Sequence, residues 1–278
     1  GILEVIVSPI VEACPGTNKA ARMSMLHSFY CWGHMAVVLL STLYFTLAGI
    51  ENWRLLPPLW ALVPLFTLFA FTKVPIYAIP GDDEETRLPK SIFRIKVFWI
   101  LFFVMICAGA SEQGVSQWSS MFAEDGLKVS KTVGDLLGPC SFAFFMGLSR
   151  FLYGMKGENL KLIPSLKATS LLCILGYLVT SLSPIPLLSL AGCAICGFSV
   201  GLMWPGTFSL GAAYLRGGGT FMYAMFALAG DIGCSAGPGV VGIISQFTGK
   251  MNLGILTAIL FPLGMLILVS LLKHQKPA

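Results

Sequence analysis

The apolar residues of this chain are grouped into blocks of about 20 separated by short polar punctuation, the length of helix needed to cross a bilayer core of about 30 Å. Several such blocks in a row leave few folds open. Of the 278 residues, 56% are hydrophobic and 11% charged, whereas a soluble domain carries about 25% charged residues. A soluble globular enzyme is thereby set aside, and an all-α integral membrane protein with several passes is expected.

Apolar runs and their flanks predict nine segments, near 1–13, 22–48, 54–73, 94–122, 133–153, 163–182, 186–212, 219–246 and 253–272. The first would extend only about 20 Å at about 1.5 Å per residue, so it is expected to need more helix before Gly1 in order to cross. It does not read as a signal peptide, because Glu4 and Glu12 replace the basic leader and Pro9 interrupts the apolar run.

Lysine and arginine in short loops favour the cytoplasmic side. If the first segment exits into the cytoplasm, 14 of the 18 basic residues, among them Lys19, Arg87, Arg150 and Lys273, fall inside. Arg54, Lys128, Lys131 and Lys250 fall outside, which puts the C-terminus in the cytoplasm. The long loop holds Pro80, Gly81, Pro89 and the run Asp82, Asp83, Glu84 and Glu85, and reads as a solvated linker. The expected organisation is a partial N-terminal bundle of three segments at 1–75, a cytoplasmic linker at 76–93 and a complete six-helix bundle at 94–278. About three further spans upstream would make two halves of six.

The formal charge of +5 lies between apolar blocks and forms no basic stripe with interleaved aromatics, so nucleic acid is not an expected partner. The eight cysteines fall largely inside apolar segments, where a thiol packs as a small hydrophobe, and no disulfide framework is read. Cys193 and Cys196 make a C-x-x-C pair, but with no second pair and three histidines in the chain neither a metal nor a cofactor is expected. No strand precedes a glycine-rich segment, so phosphate-loop readings fail.

Ionisable residues inside membrane helices are costly and mark candidate sites. Glu4 lies about 16 Å from the expected cytoplasmic end, near mid-membrane. Desolvation there penalises the charged form, as a proton-coupling site requires; the alternative is a structural hydrogen bond. Glu112, Gln113, Ser116, Gln117 and Trp118 form a polar cluster suited to sugar hydroxyls and a stacked ring, or to an outer helix end packed on its neighbour. His27, Tyr30, Cys31 and His34 share one helix face, which could line a cavity, although a buried, satisfied histidine is the alternative for each. Asp135 suits the dipole at the start of its helix. Asp231, in a glycine-rich stretch with Gly237 and Pro238, is read as holding helix packing, with proton sensing as the alternative.

These residues resemble the major facilitator superfamily and, within it, the fucose permease group of sugar and proton symporters. Gly147, Arg150, Gly154 and Lys156 resemble the family's basic loop motif at a cytoplasmic helix end, without the acid before the arginine. Gly1-Ile2-Leu3-Glu4 followed by Pro9 is similar to the group's helix four, whose glutamate is implicated in proton coupling, a role the resemblance gives to Glu4. The run from Arg22 to Phe29 resembles the start of helix five, with His27 where the group tends to have an amide. Gly109 to Trp118 resembles helix seven, and Pro205, Phe208, Ser209, Leu210 and Gly211 the end of helix ten. The chain would then run from within helix four to the end of helix twelve. The resemblance places Glu4, Glu112, Gln113, Gln117 and Trp204 in or near the transport path.

The expectation is a monomeric, multi-pass cell-membrane transporter, not an enzyme, working by alternating access with protons and a small-molecule substrate as its partners in the lipid bilayer. Proton-coupled symport of a sugar or similar polar solute comes first. A drug or metabolite antiporter of the same superfamily is the alternative, and a membrane-embedded enzyme a remote one.

Overall fold

The computed structural model describes residues 2–14, 18–74, 92–156, 161–215 and 218–272, with the side chains of 2–5 and 156 outside the description. Nine helices account for nearly all of these residues. They are α1 (Ile2–Ala13), α2 (Lys19–Ala48), α3 (Ile50–Phe71), α4 (Lys96–Gly126), α5 (Lys131–Met155), α6 (Leu162–Leu182), α7 (Pro186–Tyr214), α8 (Gly219–Thr248) and α9 (Met251–Leu272). The eight after α1 are long and apolar enough to cross a membrane. Within a bilayer a continuous helix satisfies its backbone polar groups internally, which is why the apolar blocks fold this way. The loop expected at 76–93 lies mostly outside the described residues.

Two small-residue seams set the arrangement. Gly109 of α4 faces the Gly230 carbonyl of α8, and Gly233 and Gly237 of α8 face the carbonyls of Ile106 and Ala110. A β-carbon at any of the three glycines would collide with that backbone, so α4 and α8 approach as closely as two helices can. Gly237, expected from the sequence to pack, lies in this contact.

The second seam joins α5 to α2. Gly147, Arg150 and Gly154, read from the sequence as a loop motif at a helix end, lie in the second half of α5 along one face, at spacings of three and four, against α2. A β-carbon on Gly147 would sit 3.0 Å from Cβ of Cys31, and one on Gly154 would sit 3.3 Å from Cβ of Met25. Arg150, between them, is buried. The orientation count therefore loses one cation, though the remaining asymmetry is still strong.

Several helices are interrupted where the sequence removes a backbone donor or adds a glycine. The important case is α7, which breaks at Gly201 and Leu202. Pro205 has no N–H with which to bond the carbonyl four residues earlier, that of Gly201. The orphaned oxygen lies near the middle of the span.

Candidate functional site

Arg150 fills that vacancy. Its Nε donates to the Gly201 carbonyl at 2.9 Å, Nη1 donates to the His27 carbonyl of α2 at 2.9 Å, and Nη2 donates to Oε2 of Glu112 on α4 at 3.0 Å. The paired side chains are 2% and 6% exposed, so this is an ion pair fully inside the protein. Each group is costly there alone; paired and hydrogen-bonded, each offsets part of the other's cost of burial. The Ser24 hydroxyl donates to the Arg150 carbonyl at 2.9 Å, and the ring of Tyr30 lies 5.8 Å from the guanidinium carbon. One side chain thus ties α2, α4, α5 and α7 together.

Beside this node lies a cavity of about 480 Å³, within the range of small-molecule sites. Its polar wall is made by Ser8 of α1, His27 and Tyr30 of α2, Glu112 and Gln113 of α4, and Asp231 of α8; Trp204 of α7 adds an aromatic face. The His27 ring stacks on Phe208 at 5.8 Å, which fixes its plane, and its Nε2 lies 3.4 Å from the Ser8 hydroxyl. Nε2 of Gln113 donates to the Tyr30 hydroxyl at 3.5 Å, a long bond that a ligand could replace. The indole N–H of Trp204 is buried without a partner among the described residues. The cavity therefore offers hydroxyl, amide, imidazole and carboxylate groups together with a ring face.

The structure brings His27, Glu112, Gln113 and Trp204 together around one cavity and separates others. Gln117 and Trp118 do not line this cavity. Trp118 donates its indole N–H to the Pro238 carbonyl at 3.0 Å, so that both Trp118 and Pro238 belong to the contact between α4 and α8. His34, two turns beyond His27, sits with its ring 6.2 Å from that of Tyr30, outside the cavity wall. Asp231 corrects its reading as a packing residue: the adjacent Gly230 and Gly233 make the close contact, and the helical turn points Asp231 away from it, exposed on the cavity side. Glu4 is on α1 one turn before Ser8, and its side chain lies outside the described ones.

Sequence reasoning missed Ser8 and the role of Arg150. Two signals pointed to the latter. Glu112 is a mid-span acid in need of a cation, and Pro205 guarantees an unsatisfied carbonyl.

The sequence pattern of the Major Facilitator Superfamily matches residues 5–238. The chain belongs to this superfamily, and is a membrane-embedded, multi-pass transporter by fold. Among solved structures it is similar to a variant of the E. coli fucose:proton symporter FucP, with a TM-score of 0.78 and 16% identity over 99% of this chain and 74% of that one. A second structure, of the superfamily transporter FucP in the outward conformation, gives 0.76 and 15% over 99% and 73%. At such identities the likeness is one of fold. No curated protein matches the sequence.

Proposed function

We propose that the protein is a secondary active transporter carrying a sugar or similar small polar solute together with protons, its cavity opening alternately to each side as two helical bundles rock about it. The observation that carries this reading is the cavity where α1 and α2 meet α4, α7 and α8, lined by hydrogen-bonding side chains and an indole face. Polar groups would hold sugar hydroxyls while the apolar face of the ring lies on Trp204. In this reading α1 to α3 belong to one bundle and α4 to α9 to the other, and the C-terminus faces the cytoplasm. Glu4, one turn from Ser8, is the proposed proton site, loaded from outside with substrate and discharged inside. FucP, a fucose:proton symporter of the same fold, supports this class of substrate and of coupling.

The test is made in cells lacking competing uptake systems, with external pH recorded in a weakly buffered suspension as each of a panel of sugars is added. Alkalinisation with one sugar, lost in a Glu4→Gln variant that still exchanges that sugar across the membrane, is the expected result. Acidification or drug efflux with no response to any sugar would favour antiport instead. Uptake driven by pH that survives Glu4→Gln would remove Glu4 from the coupling role.

A further inference from the structure

A groove of about 550 Å³, away from the central cavity, lies between the start of α6 and the end of α7. Its wall is mixed in a specific way. Lys161 and Lys167 supply two cations, Leu162, Ile163 and Leu210 supply apolar surface, and Tyr214 closes one side. Tyr214 is 9% exposed, yet its hydroxyl makes no hydrogen bond among the described residues, and neither lysine makes an ion pair among them. The first turn of α6 has no side-chain cap and no acidic residue. Among the described residues nothing accepts from the backbone N–H groups of Leu162 and Ile163, which precede the first intrahelical bond from Ser165 to Lys161. A helix start, two lysines and the Tyr214 hydroxyl bring donors together here, with no acceptor to match them among the described residues.

We propose that this groove binds the phosphate of an anionic phospholipid. Two lysines, the Tyr214 hydroxyl and the positive end of α6 would hold a phosphodiester, as helix starts hold anions generally. Free phosphate would meet the same donors, but it would leave Leu162, Ile163 and Leu210 facing water. A lipid covers them with its glycerol and upper acyl chain. In the orientation proposed above, this end of the molecule faces the cytoplasmic leaflet, whose anionic lipids attract basic clusters.

Native mass spectrometry of the purified protein in detergent tests this with three probes: phosphatidylglycerol, phosphatidylcholine and inorganic phosphate. Phosphatidylglycerol should be retained in preference to phosphatidylcholine, and inorganic phosphate should leave no adduct. Replacing both lysines (K161A with K167A) should weaken phosphatidylglycerol retention about fivefold per lysine, roughly 25-fold together, and Tyr214→Phe should weaken it less. Equal retention of the two lipids by the unaltered protein overturns the proposal without recourse to any variant. So does phosphatidylglycerol retention that ignores the double substitution, and phosphate bound in place of lipid overturns the lipid assignment. None of these outcomes depends on what the central cavity transports.

Discussion

Arg150 shows why a buried charge is judged by its partners. Its three donors go to three different helices: two carbonyls and the Glu112 carboxylate. Lysine has one nitrogen and no fork, so Arg150→Lys is not conservative. Removing either partner leaves an uncompensated charge, which costs about 3–5 kcal/mol, whereas replacing both with apolar residues of similar size is often neutral. Thermal unfolding in detergent should therefore show strong destabilisation for Arg150→Met and for Glu112→Met singly, with substantial recovery in the double variant; additive losses would show that the pair is not coupled. Transport should stay abolished in all three, because Glu112 and Arg150 both line the cavity. Asp231 predicts the opposite pattern. It is exposed to the cavity and makes no ion pair among the described residues, so Asp231→Asn should change stability by less than about 0.5 kcal/mol. Its effect should show instead in the apparent KM for solute or in the pH profile of uptake, and a folding defect with normal transport would return Asp231 to a packing role.

Between helices the small residues decide the geometry, and neighbouring glycines of α8 supply an internal control. A β-carbon at Gly233 would collide with the Ile106 carbonyl, whereas one at Gly239 meets nothing within 4 Å. Gly233→Val should thus force α8 away from α4 and cost about 1–3 kcal/mol as overpacking does. Gly239→Ala should be neutral or stabilising by about 0.5–1 kcal/mol, since alanine restricts the helix less than glycine does. Comparing the unfolding midpoints and expression of the two variants tests the seam. The same contrast explains what the sequence could tell. Span existence was legible because apolar blocks and polar punctuation are local, and the nine predicted segments coincide with nine helices. Which face of a span meets another helix is not local. Asp231 and Gly233 are two residues apart on one glycine-rich stretch, and only the partner α4 distinguishes the cavity side from the seam. The partners of Arg150 escape the sequence for the same reason: its position toward a helix end beside Gly154 is local, while the groups it bonds lie on α2, α4 and α7.

Across the molecule, the contact of α2 with α5 carries the heaviest mechanistic consequence. In the proposed rocking motion these helices belong to different bundles, so their seam from Met25 and Gly154 to Cys31 and Gly147 must part when the cavity opens at that end. The node at Arg150 spans the same junction, since it is carried on α5 and bonds the His27 carbonyl of α2. A β-carbon at Gly154 would lie 3.3 Å from Cβ of Met25, close to the roughly 3.8 Å typical of a disulfide. The paired variant M25C with G154C should therefore cross-link on mild oxidation. Uptake by the oxidised variant should fall to background and return on reduction, while the parent protein, with its native cysteines, keeps its activity under the same oxidant. Solute should still bind the locked form from the opposite side, because the cross-link closes one exit and leaves the cavity wall intact. Full transport by the cross-linked variant would mean that α2 and α5 move as one body, and the boundary between the moving parts would then have to lie elsewhere than between α1–α3 and α4–α9.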